Sequence, residues 1–349
     1  MDEQRAVSAG NEVQGDIERV VGESVLFLRA DDGIGWANLQ HLAAGIEGIT
    51  SSDGMTHYEV GRDVEWTDGS RRLRLTSGSR IHAYSEAELR RPAGSQAYAL
   101  THRDGNGEIL FGPELEWAEM QLCVTYRCHP STVDASGDCD REQLSRIRGR
   151  LLAGAPCKIV VLGDSISYGH NASGLYGKSP FQPPYPGLVA NALRERYASE
   201  VQLVNLSVSG TNTEWGITRA ADVVAERPDL VILAFGMNDS VGVSAEQYQR
   251  NMARIRSLIQ ESAPECDFIL VAPMLGNPDW TALRHEVFPK YRDALAALCE
   301  PGTALADLTR VWERLLSHKN YLDLTGNGVN HPNDFGHRVY AAEIAALLG

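Results

Sequence analysis

Four residues in the second half of the chain are of the types needed to cleave an ester. Ser165 follows the apolar run 158–162 and can act as a nucleophile, and His331 can take its proton as a general base. Gly210 and Asn238 each follow another apolar run. The backbone N–H groups of Ser165 and Gly210 and the side-chain amide of Asn238 can donate hydrogen bonds to an oxyanion. The set predicts acyl transfer through a serine nucleophile.

Strands and helices alternate from about residue 140, which predicts a parallel sheet covered by helices on both faces. Runs typical of buried strands lie at 158–162, 201–205, 229–235, 267–272 and 303–307. Helical periodicity recurs at 186–198, 244–263, 286–299 and 334–348. In such sheets, ligands bind beyond the carboxyl ends of the strands. Three of the four candidate residues follow strands, and His331 precedes the last helix. We therefore expect all four to meet at one edge of the sheet.

The first part of the chain has a different pattern, in which short alternating runs are separated by turns. Alternation typical of strands occurs at 24–30, 72–76 and 120–126. Asp-Gly pairs that fit tight hairpin turns lie between them, as at Asp68-Gly69. This pattern predicts an all-β sandwich or jelly roll. A chain of 349 residues also favours two domains, and we place them at 1–139 and 140–349.

In order and spacing, the four motifs resemble those of the SGNH hydrolases, also called GDSL-type esterases and lipases. The first motif reads Gly-Asp-Ser165-Ile, with isoleucine where the family name has leucine, and the resemblance covers roughly residues 156–349. It implies a flavodoxin-like, three-layer α/β/α domain with a five-stranded parallel sheet. It also implies Ser165 as nucleophile and His331 as base. The oxyanion hole implied by the resemblance is formed by Ser165, Gly210 and Asn238.

The chain departs from the family pattern at the residue that usually supplies the acid of a triad. The family usually places an aspartate three residues before the histidine, where Gly328 stands here. Three explanations are open: a Ser-His dyad with a backbone carbonyl orienting His331, an acid supplied by Asp323, or an inactive relative. We favour the dyad and expect Nδ1 of His331 to face a backbone carbonyl oxygen rather than a carboxylate.

The N-terminal part resembles, more loosely, the β-rich module that accompanies some bacterial members of this family. The segments that carry this resemblance are 49–54 and 78–81. In related enzymes such modules help to place carbohydrate substrates, which favours a short-chain, acetyl ester of a sugar over a long-chain lipid. Tyr168, Tyr185 and Trp215 follow motif residues and are candidates to line an acyl or sugar subsite, although packing is the commoner role of aromatic residues.

Two other classes of function remain open. Asp164 and Asp239 stand in segments similar to two ligand motifs of metal-dependent phosphoesterases, but such sites need histidines among the acids and the segment 236–239 has none. A non-catalytic carbohydrate-binding protein would bind a polysaccharide without releasing acetate. We favour the esterase, with an ester of a small molecule or oligosaccharide as its partner, and we predict no metal or other cofactor.

The composition favours some partners and compartments over others. The formal charge of −14 argues against a surface that binds nucleic acid or an anionic membrane. Residues 1–16 are polar and charged, without the apolar run of a signal peptide or membrane helix, so we expect a cytoplasmic protein. No C-x-x-C pair is present, which favours free thiols. A disulfide or metal site among Cys123, Cys128, Cys139 and His129 is the less favoured alternative.

Overall fold

The structure is a computed structural model that describes residues 18–128 and 142–349. Its N-terminal part is built mainly of short antiparallel strands. These are β1 (Glu18–Val25), β2 (Leu28–Arg29), β3 (Gly35–Asn38), β4 (Ala43–Ser51), β5 (His57–Tyr58), β6 (Val64–Trp66), β7 (Arg72–Leu75), β8 (Arg90–Arg91), β9 (Glu108–Ile109) and β10 (Leu122–Cys128). One sheet has the order β1-β10-β4-β5 and a second the order β2-β3-β7-β6, while β8 pairs with β9.

The two four-stranded sheets share one apolar core, so the predicted β-sandwich is confirmed. Val25 and Val124 contribute to this core from the first sheet, and Ala37 and Leu73 contribute from the second. Alternate residues of β10 are buried, as expected for a strand with one face on a core. The run predicted at 24–30 is divided between β1 and β2, where the chain passes from one sheet to the other. The jelly-roll form stays a prediction.

The C-terminal part contains the predicted five-stranded parallel sheet. Its strands are β11 (Cys157–Gly163), β12 (Val201–Asn205), β13 (Leu230–Ala234), β14 (Asp267–Ala272) and β15 (Thr303–Asp307). Their order is β12-β11-β13-β14-β15 and every pair is parallel, which is the flavodoxin-like arrangement. All residues of β13 and β14 are buried, because helices cover both faces of the sheet. The predicted fold is therefore confirmed.

Helices pack on both faces of this sheet. In chain order, the helices of the described residues are α1 (Glu116–Met120), which lies in the N-terminal part, and α2 (Ser145–Leu152), α3 (Ser165–Tyr168), α4 (Tyr185–Tyr197), α5 (Thr213–Ala225), α6 (Ala245–Gln260), α7 (Phe288–Ala296), α8 (Leu308–Leu316) and α9 (Asp334–Leu348). One apolar cluster joins α2, α4, α8 and α9 to the sheet, and another joins α5, α6 and α7 to its other face. None of the helices in the described ranges is long and apolar enough to cross a membrane.

Of the helices with nine or more residues, α5 and α8 lie outside the helical segments predicted by periodicity. Helix α5 contains Gly216, a residue that weakens an isolated helix. A Cβ at this position would lie 2.9 Å from side-chain atoms of Ile255 and Phe235, so the glycine allows α5 to approach its neighbours closely. Helix α8 has only nine residues. Tertiary packing decides both helices more than local propensity does.

Some sequence expectations fall in the undescribed segment 129–141. The predicted domain boundary at 139/140 lies there, and so do Cys139 and His129. The cysteines that the structure describes carry free thiols: Cys123, Cys128, Cys157, Cys266 and Cys299.

A buried ion pair joins the sandwich to the α/β domain. Nζ of Lys319 lies 2.6 Å from Oε1 of Glu23, and both side chains are fully buried. The ammonium also donates to the carbonyl oxygen of Asn38 at 3.0 Å. Glu23 accepts further hydrogen bonds from the Tyr126 hydroxyl at 2.6 Å and from the Gln40 N–H at 2.7 Å. Each buried charge is therefore both paired and hydrogen-bonded, which is the condition for a stable buried pair.

We expect Lys319→Met to destabilise the protein strongly, because it leaves the Glu23 carboxylate buried without its cation. The expected loss in the free energy of unfolding is about 3–5 kcal/mol, measured by urea denaturation. Arg19→Met is the matched control, since it breaks an exposed pair with Glu47 and should cost less than about 1 kcal/mol. Equal, small losses for the two variants would contradict this account of the ion pair.

Candidate active site

Ser165 lies at a sharp junction between a strand and a helix. It is the first residue of α3, directly after β11, and Asp164 caps this helix by accepting a hydrogen bond from the Ile166 N–H at 3.0 Å. Gly163 makes the junction sterically feasible, because a Cβ there would lie 2.5 Å from the carbonyl oxygen of Ala234. The Ser165 N–H has no acceptor within the helix, as is general for the first turn, and is available to a ligand.

His331 is placed beside the serine. Its Nε2 lies 2.9 Å from Oγ of Ser165, across 166 positions of sequence. The loop that carries His331 is folded around the side chain of Asn327, whose Oδ1 accepts hydrogen bonds from the N–H groups of Val329, Asn330 and His331 at 2.9–3.1 Å. The geometry brings together the two residues that the sequence proposes as nucleophile and base.

The partner of the other imidazole nitrogen is a residue that the sequence did not identify. Nδ1 of His331 lies 2.8 Å from Oδ1 of Asn171. The expectation of a backbone carbonyl at this position is therefore wrong, although no carboxylate occupies it either. The amide of Asn171 is oriented by Nδ2, which donates to the carbonyl oxygens of Gly326, at 2.9 Å, and of Glu114. If the amide were flipped, its oxygen would lie against these two carbonyl oxygens, which is unfavourable because none of the three can donate a hydrogen bond.

This orientation determines the tautomer of the histidine. An amide oxygen only accepts hydrogen bonds, so Nδ1 of His331 must carry the proton. Nε2 is then unprotonated and presents its lone pair to the hydroxyl of Ser165, as a general base requires. Asn171 has a positive φ of 66°, a conformation that asparagine tolerates well. That tolerance is a weak sequence signal, which is why the sequence did not reveal the residue.

Asp323, the possible acid, does not reach His331. Its Oδ1 accepts a hydrogen bond from the Leu26 N–H at 2.7 Å, and its Oδ2 accepts one from the Asn320 N–H at 3.0 Å. Oδ2 also lies 3.7 Å from Nζ of Lys319. Both carboxylate oxygens are thus engaged at the contact between the two parts of the chain. The assignment of Asp323 as a third catalytic residue is wrong, and the residue instead binds the sandwich.

The proposed oxyanion donors lie in the loops on either side of Ser165. Strands β12 and β13 flank β11, so the loops that follow them carry Gly210 and Asn238 to the same edge. Gly210 has a positive φ of 79°, and a Cβ there would meet no atom within 4 Å. Asn238 donates one amide hydrogen to the carbonyl oxygen of Thr211 at 2.8 Å, which leaves its second hydrogen for a ligand. Val208 donates its N–H to the Gly163 carbonyl at 3.1 Å and so joins the loops.

Asp164 and Asp239 hold the backbone of these loops by hydrogen bonds. Asp239 accepts hydrogen bonds from the N–H of Thr213, at 3.1 Å, and from its hydroxyl. Both carboxyl groups are almost fully buried. Burial raises the pKa of each, and together with the charge of Asp239 it raises the pKa of Asp164 to about 7. These contacts are structural, in agreement with a bracing role for both residues.

Two further histidines, His170 and His337, lie near His331. The ring of His170 stacks on that of His331, with centroids 5.5 Å apart and planes 11° from parallel. His170 is held by the Tyr176 hydroxyl at 3.0 Å and by the Ser209 hydroxyl at 2.8 Å. His337 is fully buried in α9, and its Nε2 lies 3.1 Å from the carbonyl oxygen of His170. Burial, with the proximity of both histidines, lowers the pKa of His331 to about 3.

The three aromatic candidates have different surroundings. Tyr185 is fully buried, with its hydroxyl 2.7 Å from that of Ser167. Trp215 is partly buried and packs on Phe235. Tyr168 is 46 % exposed, and its ring lies 5.2 Å from that of His170. Tyr168 alone of the three presents an open ring beside the stacked histidines.

Across residues 18–128 and 142–349, no three His, Cys, Asp or Glu side chains are grouped closely enough to hold a metal ion.

Fold and site are those of an ester hydrolase. The sequence model of the GDSL-like lipase/acylhydrolase family matches residues 161–339, and the chain belongs to this family. The resemblance described in the sequence is thereby confirmed. A search of curated proteins finds no match.

Several solved structures are similar to part of this chain. An α/β hydrolase from the metagenome of Lake Arreo, Spain, is 26 % identical; the match covers 56 % of this chain and 96 % of that one, with a TM-score of 0.46. A variant of an acetyl xylan esterase from Geobacillus stearothermophilus is 22 % identical, with 56 % and 96 % covered and a TM-score of 0.47. A two-domain esterase active on acetylated mannans is 23 % identical, with 58 % and 52 % covered and a TM-score of 0.45.

We expect His331 to stay neutral, and the enzyme active, well into the acidic range. A base must be unprotonated, so activity is full above its pKa and falls below it; the lowered pKa of His331 moves that fall below the ordinary value of 6.5. The measurement is the dependence of kcat/KM on pH for a neutral ester, with circular dichroism at each pH to separate unfolding from titration. A midpoint at or above pH 6.5 in the folded protein would contradict a lowered pKa for His331.

Proposed function

We propose that this chain is a serine esterase that releases short acyl groups, most simply acetyl, from a carbohydrate or a similar small ester. The observation that carries the proposal is the hydrogen-bonded series Ser165–His331–Asn171, with distances of 2.9 and 2.8 Å around a single imidazole. It is the geometry of a nucleophile, its base and a group that orients the base. Asparagine in the third place also occurs in cysteine proteases of the papain type, where it orients the histidine.

The reaction begins when Oγ of Ser165 attacks the ester carbonyl carbon and its proton passes to Nε2 of His331. The oxyanion of the tetrahedral intermediate accepts hydrogen bonds from the N–H groups of Ser165 and Gly210 and from Nδ2 of Asn238. His331 then gives its proton to the leaving alkoxide, and the C–O bond breaks to leave an acyl-enzyme. Water then gives a proton to Nε2 and attacks the acyl-enzyme; as the bond from the carbonyl carbon to Oγ of Ser165 breaks, His331 returns this proton to Oγ and the acid is released.

Asn171 orients the imidazole during these steps without supplying a charge. The oxygen of an amide stabilises the imidazolium by its dipole, and a carboxylate would do so more strongly. The oxyanion donors therefore contribute a larger share of the transition-state stabilisation than they would beside a charged partner. The proposal retains the absence of an acid but replaces the expected backbone carbonyl by a side-chain amide.

Two cavities lie between the two parts of the chain. A cavity of 540 Å³ lies between the two parts and has polar side chains of both in its wall, including Arg90, His102 and Asp279. A second cavity, of 370 Å³, also lies between the two parts. Ser165 lines neither of them, so neither cavity places an ester at the nucleophile.

We expect hydrolysis to decrease with acyl length and to require Ser165. A panel of 4-nitrophenyl esters from acetate to decanoate, with acetylated oligosaccharides beside it, measures the preference. Ser165→Ala should lower kcat by about 10⁴-fold or more, since it removes the nucleophile. Preference for decanoate would sink the short-chain proposal. Equal rates for the wild type and Ser165→Ala would sink the esterase mechanism itself.

Tyr168 offers a test of the carbohydrate part of the proposal. Its exposed ring is suited to stack on the face of a sugar, as aromatic side chains with one open face do. Tyr168→Ala should raise KM for an acetylated oligosaccharide by roughly tenfold, corresponding to the loss of one aromatic contact. KM for 4-nitrophenyl acetate should stay within about twofold of the wild-type value, because this ester has no sugar. A parallel change for both substrates would contradict a sugar subsite at Tyr168.

A further inference from the structure

The amide of Asn171 is held by both parts of the chain. Nδ2 donates one hydrogen to the carbonyl oxygen of Gly326, in the loop of His331, and the other to that of Glu114, in the N-terminal part. Both amide hydrogens are thus used, and the oxygen is left to face His331. The side chain is 1 % exposed, so water does not compete for these bonds. The direction in which the amide points depends on a backbone carbonyl of the N-terminal part.

The N-terminal part also occupies the space beside Gly328, three residues before His331. Gly328 has a φ of 85°, and a Cβ there would lie 2.2 Å from the carbonyl oxygen of Leu110 and 2.6 Å from Nε1 of Trp117. Trp117 is fully buried, and its Nε1 donates to that same carbonyl at 3.2 Å, which holds both groups in place. No side chain fits at position 328, so an aspartate there is sterically excluded.

The same segment of the N-terminal part contacts the loop of His331 on both sides of the histidine. The Gly112 N–H donates to the carbonyl oxygen of Asn327 at 3.1 Å. Gln121 donates from Nε2 to the Thr325 carbonyl at 2.9 Å and accepts at Oε1 from Nδ2 of Asn333 at 2.8 Å. These contacts fix the backbone on both sides of His331 relative to residues 110–121.

We propose that the N-terminal part belongs to the catalytic machinery: its segment 110–121 excludes an acid at position 328 and, through the Glu114 carbonyl, holds Asn171 in the orientation that positions His331. Asn171 is a positioning residue in this scheme. The inference rests on the proposed function, in which His331 is the base. Because the orientation of a base affects the transition state more than the binding of substrate, the contact governs kcat and leaves KM nearly unchanged.

The first test separates the role of the Asn171 N–H donors from the role of its side-chain oxygen. Asn171→Gly and Asn171→Asp both tolerate the positive φ, so neither strains the backbone. The aspartate keeps an oxygen for His331 but turns its second oxygen toward the carbonyls of Glu114 and Gly326. Both variants should lose at least about tenfold in kcat with KM within about twofold. A wild-type kcat for Asn171→Asp would overturn the proposal, because an acceptor for His331 would then suffice without the N-terminal carbonyl.

The second test displaces the N-terminal segment by a substitution outside the series Ser165–His331–Asn171. At Gly112 a Cβ would lie 2.9 Å from Cδ1 of Trp117 and 3.0 Å from Cβ of Glu116, so Gly112→Val must shift the segment that carries the Glu114 carbonyl. We expect kcat to fall about tenfold in a folded protein. Gly112→Ala introduces the same Cβ and replaces the valine variant if that variant does not fold.

Gly48→Val is the matched control in the same part of the chain. Gly48 lies in β4, and a Cβ there meets no atom within 4 Å. Its kcat should equal that of the wild type, which separates displacement of the segment from a general effect of valine. A wild-type kcat for folded Gly112→Val, or Gly112→Ala, would overturn the proposal.

A double-mutant cycle decides whether the two changes act through one contact. If the segment acts through Asn171, Gly112→Val should cause little further loss of kcat once Asn171 is glycine. Fully multiplicative losses would show an independent route and would overturn the proposal. Ser165→Ala, assayed in the same series, separates this outcome from failure of the proposed function: that function fails when the wild type has no Ser165-dependent activity, whereas the inference fails within an active, Ser165-dependent enzyme.

Discussion

The hydrogen bond between Oδ1 of Asn171 and Nδ1 of His331 is the contact on which the arrangement of the site depends. It determines which imidazole nitrogen carries the proton, and so whether the lone pair of Nε2 can face Ser165. The bond has this direction because the other end of the amide donates to two carbonyl oxygens. An amide that was free to rotate would present its nitrogen to the histidine about as readily and would leave the wrong tautomer.

A neutral partner also changes the electrostatics of the base. A carboxylate beside Nδ1 would favour the imidazolium and raise the pKa of the histidine. The amide does not, and burial with two neighbouring histidines lowers that pKa instead. The imidazole therefore remains unprotonated and ready to accept a proton, while the imidazolium formed during reaction is less stabilised. In the proposed mechanism, preorganised donors at the oxyanion are the compensating element.

The two parts of the chain are bound by polar contacts that are buried and mutually satisfied. The pair formed by Glu23 and Lys319, and the carboxylate of Asp323 beside it, lie in this contact. Removing one partner from such a network leaves an unpaired buried charge, so the contact is specific as well as strong. It fixes the position of segment 110–121 against the loop of His331, and the geometry of the site follows from this fixed position.

Much of the fold could be read from the sequence because its signals are local. The runs of β11, β13 and β14 are almost entirely apolar, as expected for strands buried on both faces, and most of the longer helices that pack on the sheet show a regular period. Helices α5 and α8 lacked a clear local signal, since Gly216 and short length weaken the pattern and packing overrides it.

The sequence by itself determined the order of Ser165, Gly210, Asn238 and His331 along the chain, because each stands next to a strand or helix that local pattern reveals. Only the tertiary structure decided what orients His331. Asn171 lies 160 positions away in sequence, in a loop without periodicity, and it is held by a backbone carbonyl that carries no side-chain signal. Asp323 was the opposite case: a carboxylate close to His331 in sequence whose hydrogen bonds lead to the sandwich. Proximity along the chain does not determine which groups meet when both partners lie in loops, and the contact between the two parts of the protein decided it.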